Sequence, residues 1–260
     1  MRVRSIGMAV LCVVTVFVSQ SSAAWEDNAD SPVGVNFWFW SDWANQNWPL
    51  VDFFKHSRQF WAQPADGTNP WSLDQELVLD SNGYPTSLPS GVGAATLLMW
   101  GDGGYHPGGD YTVLYDGEGE ITFWGNASVV SSEPGRIVIN VERRDAGFLL
   151  KIKTTTPGNH IRNIRVIAPG FEGVYQDNPW HPLFLERLKE FRCLRFMDWM
   201  RANTSRVVNW SERITPNHQT FAGGEGSGVP IEYLVDLCNR LDADGWVCLP
   251  AAGSDDYYQR

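Results

Sequence analysis

The chain has 260 residues, with 20 Lys+Arg against 30 Asp+Glu, a formal charge of −10. With 43% hydrophobic residues it has ample apolar surface to offset the entropy of ordering, which excludes intrinsic disorder. The acid excess leaves no surplus of cations to neutralise phosphates, which argues against a nucleic-acid partner.

Arg2 and Arg4 precede an apolar run from Ile6 to Val18, followed by Ser21, Ser22, Ala23 and Ala24. A basic start, a short apolar run and a small-residue site make residues 1–24 a signal peptide, cleaved after Ala23 or Ala24. The run falls short of the ~20 residues needed to cross a bilayer. The expected location is secreted, periplasmic or cell-surface, with no membrane contact after cleavage. Of the cysteines, Cys193, Cys238 and Cys248 remain, so at most one bridge can form within the chain, and free thiols are expected.

Residues 25–75 form a Trp-rich segment that holds seven of the 13 tryptophans. Gly34 to Trp40 reads as a strand. Pro49 opens an expected helix through Leu50, Val51, Phe53, Phe54 and Phe60, whose spacing is nearer 3.6 than 2. From 76 to 175, short strand-like runs are divided by Gly, Pro, Asn and Asp. The alternation is clearest in Arg136–Val141 and in Leu150-Lys151-Ile152-Lys153. Many short strands at this spacing predict a carbohydrate-binding-like, jelly-roll-like antiparallel β-sandwich. Within it, the Gly-rich stretch 101–110 lacks the lysine of a P-loop and the spaced acids of an EF-hand, and reads as a long turn.

From 176 to 260 the period switches. A helix opens at Pro182, a strand runs through Cys193–Trp199, a second helix spans Pro230–Leu241 and a second strand spans Gly245–Leu249. This α/β rhythm predicts the first two strand–helix units of a (β/α)8 barrel. A whole barrel needs about 250 residues, so the barrel is expected to be incomplete. The expected fold class is therefore α+β, a sandwich followed by a partial barrel.

Several pieces occur in a recognisable order: Gly34-Val35-Asn36, Trp48-Pro49-Leu50-Val51-Asp52, Lys55-His56-Ser57-Arg58, Tyr115-Asp116-Gly117-Glu118-Gly119, Asn163-Ile164-Arg165-Val166-Ile167, Pro169-Gly170-Phe171-Glu172, Leu194-Arg195-Phe196-Met197-Asp198-Trp199-Met200 and Asp255-Asp256-Tyr257. Together they resemble a group of secreted bacterial proteins labelled cellulose-binding proteins or glycoside hydrolases. The resemblance covers about residues 33–258. It implies a β-sandwich ahead of a barrel similar to clan-A glycosidases, and a β-glucan or cellulose substrate class. It also implies an Asn-Glu pair on a fourth barrel strand and a nucleophilic Glu on a seventh. The chain ends before either, so the resemblance implies a C-terminally truncated, inactive protein. The family has a His where Ala251 stands here.

Polysaccharide recognition needs flat aromatic faces and nearby polar groups. Trp43, flanked by Asp42 and Asn45, is the expected exposed platform; Trp38 and Trp40 either join it or plug the seam between sandwich and barrel. Arg195, Asp198 and Trp199 lie at the end of the first expected barrel strand, where ligand chemistry in such barrels is found. Alternation would put Arg195 and Trp199 on one face. Arg195 either meets substrate or forms a core ion pair, for example with Glu232. Asp255 and Asp256 form either a rim of carboxylates with Asp198 or a solvated acidic loop, and Trp210 is a candidate sugar contact. No catalytic residue is assigned. His106, His160, His181 and His218 show no metal-ligand spacing, and no metal or cofactor is expected. Two functional readings stay open: an exported polysaccharide-binding protein related to glycosidases, and a non-catalytic lectin-like or structural cell-surface protein.

Overall fold

The computed structural model describes residues 33–38, 40–41, 48–68, 71–223 and 228–260. The elements in chain order are β1 (Gly34–Asn36), a 3₁₀ turn (Phe53–His56), β2 (Trp61–Pro64), β3 (Val92–Trp100), β4 (Gly109–Asp116), β5 (Gly119–Gly125), β6 (Ala127–Glu133), β7 (Arg136–Val141), β8 (Ala146–Thr155), β9 (Arg162–Ile167), α1 (Pro182–Leu188), β10 (Cys193–Phe196), a second 3₁₀ turn (Trp210–Glu212), α2 (Ile231–Leu241), β11 (Asp244–Val247) and α3 (Asp255–Gln259).

Two four-stranded antiparallel sheets, ordered β2-β3-β8-β5 and β6-β7-β4-β9, face each other across one core. Period-2 alternation decides which side chains meet there. Leu98, Phe148, Leu150 and Ile152 come from the first sheet; Tyr111, Val113, Ile137, Ile139 and Val166 come from the second. Full burial of each such side chain stabilises by about 1.5–3 kcal/mol. The 3₁₀ turn is pinned to β9 by Asp52, whose Oδ1 accepts from Phe54 N at 3.0 Å and Val166 N at 2.9 Å.

A third sheet is parallel and small, ordered β1-β10-β11, with Val35 beside Leu194 and Leu194 beside Gly245. One of its faces carries Leu194 and Phe196 into a second core with Phe184 and Leu188 of α1 and Leu234, Leu237 and Leu241 of α2. His181 Nδ1 caps α1 by accepting from Leu183 N, and Asp242 closes α2 in the left-handed conformation. Lys55 joins the two cores: its Nζ donates to Pro216 O at 2.9 Å and His218 O at 2.7 Å.

The expected α+β arrangement with an incomplete (β/α)8 barrel is corrected here. The described residues form a mainly β structure, 11 strands in three sheets with three helices. A barrel closes only when strand number, tilt and stagger agree, at eight strands for this type. Among the described residues the parallel sheet has three strands, with β1 and β11 at its edges. Its outer strand β1 comes from the Trp-rich N-terminal segment, so it does not begin at Cys193 as expected. The expected helix after Pro49 is a single 3₁₀ turn. The signal peptide lies outside the described residues. No helix among the described residues is long and apolar enough to cross a membrane.

Candidate functional site

The structure distributes the expected site residues over different settings. Trp43 lies outside the described residues. Arg195 points away from the second core, reaching Asn36 Oδ1 at 3.4 Å and lying 4.8 Å from the ring centre of the exposed Trp246. Glu232 is not its partner; it pairs with Arg213 at 2.7 Å. Asp198 takes a left-handed conformation (φ 62°), which interrupts the alternation and turns Trp199 inward. Trp199 is 4% exposed and packs on Phe196 and Trp40, ring centres 5.2 and 5.0 Å away. It is a core residue and presents no face to a ligand. Trp40 is equally buried, whereas Trp38 is exposed.

Trp210 lies beneath the Arg213 guanidinium at 4.3 Å and edge-on to Tyr257 at 5.4 Å. Asp255 and Asp256 occupy the exposed first turn of α3, where Asp256 pairs with Arg260. Glu212 is spent on its own turn, accepting from the N–H groups of Val208 and Asn209, which holds its carboxyl below the usual range. The three cysteines are free, and burial pushes the Cys238 thiol up to about 11. Among the described residues no group of His, Cys, Asp and Glu could hold a metal ion.

A cleft of about 470 Å³ lies on the outer face of the β2-β3-β8-β5 sheet, where sequence reasoning had placed nothing. Alternation builds it. Gln63 of β2, Thr122 and Trp124 of β5, and Lys151 and Lys153 of β8 all point outward, opposite the core-facing Ile121, Leu150 and Ile152. Trp61 covers the outward Ala95, Leu97 and Leu149, which keeps this face dry beside the cleft. The carbonyl of Trp71 accepts from Gln63 Nε2 at 2.8 Å and Trp61 Nε1 at 3.3 Å. That anchors the segment after β2 and presents the Trp71 ring, 51% exposed, opposite Trp124, 69% exposed. The two rings stand 6.5 Å apart at 68°.

The floor is polar. Lys151 is buried, and its Nζ donates to Pro64 O at 2.9 Å. Its stem runs past Gly93, where an added Cβ would meet the Lys151 Cδ at 3.2 Å. Desolvation lowers the Lys151 pKa, opposed by the nearby negative charge of Asp66. Asp66 itself accepts from the N–H and hydroxyl of Thr68, which lowers its own pKa. Lys153 pairs with Glu120 at 3.0 Å. The readable signals were the outward lysines of β8 and the outward tryptophan of β5. What joins them to Trp71 is strand pairing between distant segments.

Two exposed indoles over a floor of amide, hydroxyl and ammonium groups can stack on the C–H face of a sugar and bond its hydroxyls. Comparison with known proteins found no match: no protein family, no curated protein and no solved structure resembles the chain at a significant level.

Proposed function

We propose that the protein is an exported polysaccharide-binding protein that holds a β-glucan-class chain in the cleft between Trp71 and Trp124. The observation that supports this reading is the pairing of two half-to-mostly exposed tryptophans across a concave, polar-floored surface. Large aromatics at such exposure forgo burial, and a concave site with a few convergent polar groups is a standard ligand geometry. The cleft is read as binding without cutting. Glycoside hydrolysis needs two carboxyl groups about 5–9.5 Å apart, and among the described residues the cleft is lined by one carboxylate, Asp66.

Affinity electrophoresis in gels containing soluble β-glucans tests the proposal. Wild type is expected to be retarded, and Trp124→Ala to migrate freely while keeping its far-UV circular dichroism. Equal mobility of wild type with and without every glucan tested would overturn it. Export is tested separately: N-terminal sequencing of the protein recovered outside the cytoplasm is expected to start at Ala24 or Trp25.

A further inference from the structure

The floor of the cleft carries an ammonium group whose donors are only partly used. Lys151 is buried, yet among the described residues its ammonium makes no ion pair, and its hydrogen-bond partner is the neutral Pro64 carbonyl. A cation taken partly out of water gains from an additional oxygen acceptor. Asp66 is close enough to act on it through space, but its Oδ1 is engaged by Thr68. Lys153, the second lysine of the lining, is satisfied by Glu120 at 3.0 Å.

The composition makes this placement pointed. The chain has four lysines, Lys55, Lys151, Lys153 and Lys189, and two of them line this one cleft of a molecule with net charge −10. Lys153 is matched by Glu120 beside the cleft, so Lys151 is the ammonium left with donors for a ligand.

Building on the polysaccharide reading, we propose that the cleft is selective for a carboxylate-bearing chain, with a uronate unit stacked against the exposed Trp71 and Trp124 rings and its carboxylate accepting from Lys151 Nζ. An ammonium has three donors, and Lys151 commits one to Pro64, leaving N–H groups for an oxygen acceptor. A charge-assisted bond of this kind is roughly twice as strong as a neutral one. A neutral sugar offers the same C–H faces to the tryptophans but gives Lys151 no charged acceptor.

Two ligands of one shape isolate the charge: cellohexaose and its C6-oxidised counterpart, a β-1,4-linked glucuronate hexamer. Isothermal titration of the wild-type protein is expected to give at least tenfold tighter binding of the glucuronate. Lys151→Gln is expected to bring the two affinities to within about twofold of each other, and Lys151→Arg to restore the preference. Wild type that binds cellohexaose as well as or better than the glucuronate overturns the charge selectivity and leaves the polysaccharide reading standing. Binding of neither ligand overturns both. A preference that survives in a folded Lys151→Gln variant overturns the assignment to Lys151. If that variant does not fold, the wild-type comparison alone decides.

Discussion

The indole N–H of Trp180 donates to Asp236 Oδ2 at 2.6 Å, and that same oxygen accepts from Arg240 Nε at 2.8 Å. Trp180 stands where the chain leaves the sandwich, bridging to Leu50, and Asp236 lies on the surface of α2. One carboxylate therefore ties the exit of the first core to the helix that covers the second. Trp180→Phe keeps most of the packing and removes the bond. Because Asp236 retains Arg240 and partial solvation, the expected cost is about 1 kcal/mol. Trp180→Ala should cost about 3–5 kcal/mol. Urea denaturation midpoints of the two variants measure the difference.

Gly117 and Gly158 make a second pair of substitutions. Both take positive φ, 88° and 83°. A Cβ at Gly117 would run into the carbonyl oxygen of His160, whereas one at Gly158 meets nothing within 4 Å. Gly158→Ala should therefore cost only the conformational strain, about 1 kcal/mol. Gly117→Ala should cost clearly more, because the turn between β4 and β5 would have to move. Thermal melts of the two variants compare them directly.

Trp199 and Trp71 separate stability from binding. Trp199→Ala empties a buried site in the second core and should destabilise by about 3–5 kcal/mol. Trp71→Ala removes a half-exposed ring and should cost under about 1 kcal/mol of stability. It should nevertheless weaken glucan retention at least tenfold, as stacking of a sugar on the aromatic ring is lost. A Trp71→Ala variant that binds as wild type would remove that ring from the site.

Acid should act on Glu172. The Arg136 guanidinium, bonded at 2.7 and 2.8 Å, and the Thr112 hydroxyl at 3.0 Å hold its carboxyl below the usual carboxylate range. The folded state thus binds the proton less readily than the unfolded one, and the contribution is present above about pH 4.5 and lost as pH falls through the lower folded value. Glu172 is 42% exposed and Arg136 39%, so solvent screening keeps the contribution under about 1 kcal/mol. Glu172→Gln should be less stable than wild type at neutral pH, and the gap should narrow as pH falls below about 4.5. Denaturant titrations across this pH range check this.

Much of the strand layout was legible where one face of a strand is dry and the other wet. β7 alternates fully, Ile137, Ile139 and Val141 inward, and its bounds match the expected Arg136–Val141. β3 reads poorly because Trp61 covers its outer face too, so seven consecutive residues are buried and the alternation vanishes. The 3.6-like spacing after Pro49 belonged to a turn whose phenylalanines are buried on all sides, with Asp52 giving its oxygen to β9 rather than to a helix end alone. The α/β rhythm after Pro182 is real over α1, β10, α2 and β11. What it cannot encode locally is closure, which depends on partners elsewhere. The cleft was hidden for the same reason: Trp71, Trp124 and Lys151 are neighbours only after β5 and β2 have found their places around β3 and β8.

β1 and β10 illustrate what that dependence means for assembly. Asn36 and Arg195, paired side by side, are 159 positions apart along the chain. Closing a flexible loop of that length costs about 4–5 kcal/mol, more than a three-residue ladder returns. The intervening sheets therefore have to be in place first, since only their compact form brings the two segments within reach. It is the β1–β10 pairing that waits on the antiparallel half, whereas β10 and β11 are joined by the short crossover through α2.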